Sequence, residues 1–211
     1  MKKITAFVMI IVLALGLTAC GSTVGDITLE SDQSAIYIQE DGTVSYAVSE
    51  KFDKDYYDEE ALESKINEEV SDYNSGSKAS VSDAISLNKF DVKKEVATMV
   101  LDFATTYDFF SYIKEYNRIE TDKFYIGTIG DNSDCEIKAD FVSPDKKTAI
   151  TNKEIKQMTD SNILIVNEQY KVQIDGTVKY ISDNCNVDKD GIITTAKVDD
   201  GTSYIVYTTE K

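Results

Sequence analysis

The chain contains no histidine and no tryptophan, and Pro144 is its only proline. Without histidine it cannot build a Ser-His-Asp or Cys-His nucleophile, an imidazole general base, or the common histidine sites for zinc and copper. Carboxylate chemistry and a serine–lysine dyad remain open to it. The sequence also contains no phosphate-binding P-loop and no G-x-G-x-x-G segment.

Positive charge is scarce, because 22 basic residues face 38 acidic ones and give a net charge of −16. Such a chain repels nucleic acid and anionic lipid headgroups, so we expect no nucleic-acid partner. The acids are scattered among apolar residues, which is typical of a solubilising surface. Thirteen tyrosines and eight phenylalanines argue against disorder over most of the chain.

The N-terminus has the pattern of an export signal. Lys2 and Lys3 precede an uncharged apolar run over 4–19, which is short for a membrane span. The segment Leu17-Thr18-Ala19-Cys20 that ends this run resembles the lipobox of bacterial lipoproteins. An ordinary secretory signal that ends near a cysteine is the alternative.

The lipobox resemblance implies that residues 1–19 are a signal peptide, and that Cys20 carries a diacylglyceryl group as the first residue of the mature protein. The chain would then be anchored to the cell membrane through Cys20, facing the extracytoplasmic side. In layout the chain is similar to small uncharacterised lipoproteins of low-GC Gram-positive bacteria, and this similarity implies no activity.

Two further cysteines, Cys135 and Cys185, would share that compartment. A disulfide is possible there, and two separate thiols are the alternative, since sequence cannot place their Cα atoms within bridging distance.

Hydrophobic patterning predicts an α+β fold, with an antiparallel sheet, two helices in the first half and a β-rich C-terminal half. Asp41-Gly42 lies between two β-prone runs and predicts a hairpin. Asp58 is a candidate N-cap for a helix over 56–74, whose apolar face contains Leu62, Ile66, Val70 and Tyr73. The other predicted segments are a strand over 81–87, a strand over 95–104 with both faces covered, a helix over 106–117, and strands over 124–128, 137–142, 162–166, 170–174, 177–182, 191–198 and 203–208.

Composition suggests a flexible tether over 20–33, an α+β subdomain over 34–130, and a β-rich subdomain over 131–211 packed against it. One internal similarity joins 39–46 (QEDGTVSY) to 173–180 (QIDGTVKY). We interpret it as convergence on a good hairpin rather than as a duplication, because the flanking segments do not repeat.

The aromatic residues of 106–117 invite two interpretations, a sugar-stacking platform or core packing. Core packing is favoured, and the absence of tryptophan weakens the sugar interpretation further.

Two partial motifs resemble known functional sites, but each lacks an essential element. S-x-x-K occurs four times, and Ser182-Asp183-Asn184 occurs once, but the K-T-G element that accompanies them in penicillin-binding proteins is missing. Residues 186–193 begin like an EF-hand loop, yet Lys197 occupies the position of the bidentate acid, which predicts a hairpin turn instead of a calcium site.

The sequence therefore selects no catalytic residue, no metal ligand and no cofactor. We expect a non-catalytic binding or interaction module of the cell envelope, with an envelope protein or cell-wall component as its possible partner. A hydrolase that uses two carboxylates and a small solute-binding lipoprotein are the alternatives.

Overall fold

The computed structural model describes residues 22–116, 123–132 and 135–209. The predicted signal peptide, the lipobox Leu17-Thr18-Ala19 and Cys20 lie outside these residues. None of the helices in the described part is long and apolar enough to cross a membrane.

The fold is α+β and rich in strands, as expected. Its helices are α1 (Glu59–Ser75), α2 (Thr106–Tyr116) and α3 (Asn152–Lys156). Its strands are β1 (Ser22–Val24), β2 (Ile27–Leu29), β3 (Gln33–Ile38), β4 (Val44–Lys51), β5 (Ile85–Lys93), β6 (Val96–Phe103), β7 (Tyr125–Thr128), β8 (Phe141–Val142), β9 (Ala149–Ile150), β10 (Asn162–Val166), β11 (Lys171–Ile174), β12 (Thr177–Ser182), β13 (Asn186–Val187), β14 (Ile193–Thr194) and β15 (Ser203–Thr208).

The larger sheet has seven strands in the order β13-β14-β11-β3-β4-β6-β5. Strands β3 and β11 run parallel, with Ala35 opposite Lys171 and Ile38 opposite Ile174. This sheet is therefore mixed, which corrects the expectation of an antiparallel sheet. Parallel neighbours require a long crossover, and here the chain between β3 and β11 includes α1, α2 and α3.

The smaller main sheet is antiparallel, with six strands in the order β7-β10-β15-β12-β8-β9. Both main sheets contain strands from either side of residue 130. The expected boundary at residue 130 therefore does not divide the chain into two subdomains with separate sheets, because each main sheet combines strands from both segments.

The main hydrophobic core combines residues from both sheets with residues from α1 and α2. Ile36 and Leu101 come from the larger sheet, and Leu164 and Ile205 come from the smaller one. The opposite face of the smaller sheet packs Ile163, Ile165, Tyr204 and Val206 with Ile155 of α3 in a second cluster. Alternation along the strands thus gives each sheet two covered faces.

The first two helices confirm the sequence prediction in part, since α1 begins at Glu59 rather than at residue 56 and α2 begins at Thr106 as expected. The side chain of Asp58 caps α1 by accepting a hydrogen bond from the Ala61 amide at 3.0 Å. On α1, Ile66 and Tyr73 are buried, and Leu62 and Val70 pack against the same core.

The third helix was not predicted, although its start has a recognisable signal. Thr151 and Glu154 form a capping box, in which the Glu154 amide donates to the Thr151 hydroxyl and the Thr151 amide donates to the Glu154 carboxylate.

Residues 22–29 form a hairpin packed on the larger sheet, which corrects the expected flexible tether over 20–33. Val24, Ile27 and Leu29 are buried against Ala35, Ala47, Val100 and Ile192. Gly25 turns the hairpin with φ +54°, a conformation that favours glycine. These three apolar side chains cover the face of the sheet opposite to the main core, so the segment folds despite its polar composition.

The two similar segments behave differently. Asp41-Gly42 makes the expected hairpin between β3 and β4. Asp175-Gly176 instead joins β11 in the larger sheet to β12 in the smaller sheet, so the interpretation of both segments as hairpins is wrong for the second. At Gly176 a Cβ atom would lie 2.3 Å from the carbonyl oxygen of Thr208, so the close approach of the β15 end requires glycine there.

Two predicted strands are shorter in the structure and one is displaced. The segment 137–142 contains only β8 and 191–198 contains only β14, whereas the strand expected over 81–87 begins at Ile85 and continues to Lys93. The strand expected over 95–104 is confirmed as β6, with Leu101 and Phe103 in the main core and Val100 in the cluster beneath the hairpin.

Candidate functional site

A groove of about 440 Å³ lies between the larger sheet and the two long helices. We call it the helix–sheet groove. Its lining residues are mainly apolar and aromatic with three glutamates, namely Ser34, Tyr46, Val48, Glu50, Leu62, Ile66, Glu69, Phe90, Ala97, Met99, Tyr112, Tyr116 and Glu168.

The floor of the groove is a row of side chains across four neighbouring strands. Ser34 is opposite Val48, Val48 is opposite Met99, and Met99 is opposite Phe90. Side chains in such a row point to the same face of a sheet. Each of these four is half-buried, so the floor of the groove is accessible to solvent.

The roof comes from α1 and α2. Leu62, Ile66 and Glu69 recur at intervals of four and three residues, which places them on one face of α1. Tyr112 and Tyr116, one turn apart on α2, stack with ring centroids 5.1 Å apart. The aromatic segment of α2 is therefore partly core, as favoured from sequence, and partly the wall of the groove.

Two tyrosines hold two of the glutamates. The hydroxyl of Tyr112 donates a hydrogen bond to Oε2 of Glu69 at 3.4 Å, and that of Tyr170 donates to Oε2 of Glu168 at 3.2 Å. Burial, reinforced by the neighbouring carboxylate, raises the pKa of both tyrosines. Both hydroxyls therefore remain protonated, neutral donors at neutral pH.

A second, larger cavity of about 790 Å³ lies where β3 and β11 end. It is lined mostly by polar turn residues, including Gln39, Glu40, Asp41, Asp175 and Thr209. Next to it, the hydroxyl of Tyr37 donates a short hydrogen bond to Asp175, which raises the pKa of Tyr37 to about 12. Among the described residues, the lining of this cavity contains one aromatic side chain, Tyr207, whereas that of the helix–sheet groove contains four, so the groove is the better candidate site.

The two cysteines lie in different parts of the molecule, and no disulfide joins them. Cys185 belongs to the main core, whereas Cys135 belongs to the second cluster behind the smaller sheet. Both are buried. Desolvation raises the pKa of the Cys185 thiol, so it is protonated and unreactive at neutral pH.

In two of the four S-x-x-K motifs, at 75–78 and 143–146, the lysine contacts a group other than the motif serine. Lys78 pairs with Glu115, and Lys146 donates to the carbonyl oxygen of Asp183. Ser182 has a structural role, since its hydroxyl donates to Asn184 and accepts from the Tyr204 amide. A different contact joins Lys179 to Ser161 at 3.2 Å, and neither residue is part of the lining of the two cavities described above.

The EF-hand-like segment is the hairpin turn that the sequence predicted, between β13 and β14. One carboxylate oxygen of Asp188 accepts from the backbone amides of Asp190 and Ile192, both at 2.9 Å. The loop thus uses this oxygen for its own turn. Among the described residues, no cluster of three acidic or cysteine side chains is placed to hold a metal ion.

Sequence reasoning missed the residues of the groove. The interpretation of the acids as a solubilising surface is correct for Glu59, Glu60 and Glu63 of α1 but not for Glu69. A signal for Glu69 existed, since it lies one turn after Ile66 on the apolar side. Glu168 lies in the connection between β10 and β11, and no local pattern relates it to α1.

Comparisons with protein families, with curated proteins and with solved structures found no match to this chain.

Proposed function

We propose that this chain is a lipid-anchored, extracytoplasmic binding protein that does not catalyse a reaction, and that the helix–sheet groove holds its ligand. The observation that carries the proposal is the groove itself. Small-molecule sites are usually concave and combine apolar and aromatic side chains with a few polar groups, as this groove does, and its volume falls within the range of such sites, about 300–1,000 Å³.

The groove also has the rigidity that a binding site needs. Its floor belongs to the hydrogen-bonded sheet and its roof to two helices that pack on the main core. Two of its glutamates are oriented by tyrosine hydroxyls. A site supported in this way binds with little loss of side-chain entropy.

The anchor is supported by the lipobox-like segment that ends at Cys20. Mass spectrometry of the membrane fraction is expected to find Cys20 at the N-terminus with the added mass of a diacylglyceryl group. Replacement of Cys20 by alanine should release the protein from the membrane. An unmodified, soluble product of the unaltered chain would overturn the anchor.

Ligand binding can be tested with methionine-methyl NMR on the full chain. Only Met99 and Met158 follow the predicted leader; Met99 lines the groove, and Met158 packs against the second cluster. A mixed panel of cationic, neutral and anionic small molecules should shift the Met99 signal and leave Met158 unchanged. If no compound of any class shifts Met99, the binding function is wrong.

A carboxylate hydrolase remains the second candidate, because three glutamates line the same groove. It predicts turnover of a glycoside that is lost in both Glu69→Gln and Glu168→Gln and kept in Glu63→Gln. Equal rates in all four proteins would exclude it.

A further inference from the structure

We propose that the ligand of the helix–sheet groove is a small organic cation, a substituted ammonium that carries an apolar ring or chain. This inference rests on the proposed binding function and specifies the chemical class of the ligand. It follows from the charge, the aromatic surface and the size of the groove.

The charge of the groove is negative. Glu50, Glu69 and Glu168 line it, and its lining contains no lysine and no arginine among the described residues. Among the described residues, none of these three glutamates forms an ion pair with a lysine or arginine. Lys65, one turn before Glu69 on α1, is paired with Glu68 at 2.9 Å.

The tyrosine hydrogen bonds do not neutralise that charge, because a protonated hydroxyl is a neutral donor. Each of Glu69 and Glu168 is half-buried. Half-buried carboxylates interact with an incoming ion more strongly than fully solvated ones, since less water screens them. The groove therefore favours a cation and opposes a carboxylate or phosphate.

The aromatic surface suits the same ligand. Tyr46, Phe90, Tyr112 and Tyr116 all contribute to the lining. Aromatic faces attract substituted ammonium groups, and they do so best where water is partly excluded. Tyr112 is buried, whereas its stacking partner Tyr116 is half-buried and remains partly accessible.

The apolar floor completes the specificity. Val48, Met99 and Phe90 form a half-buried row beside the charged residues, so an apolar ring or chain attached to the ammonium gains by leaving water. A strongly hydrated inorganic cation lacks this gain. The volume of about 440 Å³ limits the ligand to a small molecule.

The test uses three probes of similar shape: benzyltrimethylammonium, neopentylbenzene as the neutral analogue, and 3-phenylpropionate as the anionic one. The full chain is studied in nonionic detergent, with the methyl signal of Met99 as reporter and that of Met158 as internal control. Benzyltrimethylammonium is expected to bind at least tenfold more tightly than either analogue, and its affinity should fall as salt concentration rises.

Variants test whether the glutamates of the groove cause the preference for a cation. Glu69→Gln and Glu168→Gln should each weaken binding of the cation about fivefold or more and leave that of neopentylbenzene unchanged. Glu63→Gln is the matched control, because it removes a charge from the exposed face of the same helix. Tyr116→Leu should weaken binding of the cation more than Tyr116→Phe does, because phenylalanine keeps the aromatic face. Far-UV circular dichroism verifies that each variant is folded.

The outcomes separate the two proposals. If the neutral or anionic probe shifts Met99 at least as strongly as the cation, or if Glu69→Gln and Glu168→Gln bind the cation as the unaltered chain does, the cation class is wrong and the binding function stands. If none of the probes and none of the wider panel shifts Met99, both are wrong.

Discussion

The side-chain amide of Gln173 makes two hydrogen bonds to Asp26, a residue 147 positions earlier in the chain. Its Oε1 accepts from the Asp26 backbone amide at 2.7 Å, and its Nε2 donates to Oδ2 of Asp26 at 3.0 Å. Gly25 lies against the same amide, where a Cβ atom would be 2.4 Å from Oε1 of Gln173. This contact ties the N-terminal hairpin to β11.

Gly25→Ala is therefore expected to destabilise the hairpin. The left-handed conformation costs alanine about 1–2 kcal/mol, and the overlap with Gln173 adds to this. Gly42→Ala is the matched control, since Gly42 also has positive φ but has no atom within 4 Å of the added Cβ. Urea unfolding should show a larger loss in the free energy of unfolding for Gly25→Ala than for Gly42→Ala. Equal losses would mean that the Gln173 contact does not matter.

Asp108 should be the most sensitive acid in the described chain. It is fully buried, and its carboxylate accepts hydrogen bonds from the Ser80 amide and hydroxyl, the Thr105 hydroxyl and, at 3.3 Å, the Tyr73 hydroxyl. Asp108→Ala leaves these donors without their acceptor.

We expect a loss of about 2–4 kcal/mol in the free energy of unfolding for Asp108→Ala, because four hydrogen bonds to one buried carboxylate are lost at once and the buried Tyr73 hydroxyl loses its acceptor. Asp72→Ala, at an exposed position of α1, should change it by less than about 0.5 kcal/mol. Similar values for the two variants would contradict this account.

The thiols should react only when the protein unfolds. Cys185 is 0% exposed and Cys135 is 8% exposed, and they lie in separate clusters. A maleimide added to the native protein at pH 7 should label neither at an appreciable rate. Both should be labelled in denaturant without reductant. A requirement for reductant would show that they are joined in a disulfide.

Alkaline pH should weaken the link between β3 and β11. The hydrogen bond to Asp175 raises the pKa of Tyr37 from 10.0 to about 12, so the folded state holds this proton more tightly than the unfolded state does. The stabilisation is complete below pH 10 and is lost as the pH rises to 12.

A Tyr37→Phe variant checks this, because it lacks the titrating group. The difference in unfolding free energy between the unaltered chain and Tyr37→Phe should shrink between pH 10 and 12. Tyr107→Phe, which alters an exposed tyrosine, should show no such change. A difference that stays constant across this range would contradict the assignment to Tyr37.

Local structure could be predicted from the sequence where its cause was local. The Asp58 cap and the Asp41-Gly42 hairpin depend on residues within a few positions, and both are confirmed. Asp175-Gly176 contains the same dipeptide and makes no hairpin, because the strand before it pairs with β3 and the strand after it pairs with β15. A dipeptide contains no information about such distant partners.

The hairpin and the groove were missed for different reasons. Val24 and Ile27 flank a Gly-Asp turn, so a hairpin signal was present at 22–29 but was obscured by polar neighbours. The groove had no equivalent signal. It depends on Glu69 from α1, Phe90 from β5 and Glu168 from a connection, which only the folded chain brings together.

The docked hairpin has a consequence for orientation at a bilayer. Only residue 21 separates Cys20 from β1, and two residues of extended chain reach about 7 Å. With a lipid on Cys20, the domain would lie directly against the headgroups, because no long flexible linker would separate it from the bilayer. The hairpin packs on Ala35, Ala47 and Val100, whereas the groove opens on the reverse side of those same strands. The bilayer would then lie behind the sheet, and the mouth of the groove would face outward, toward molecules arriving from outside the cell.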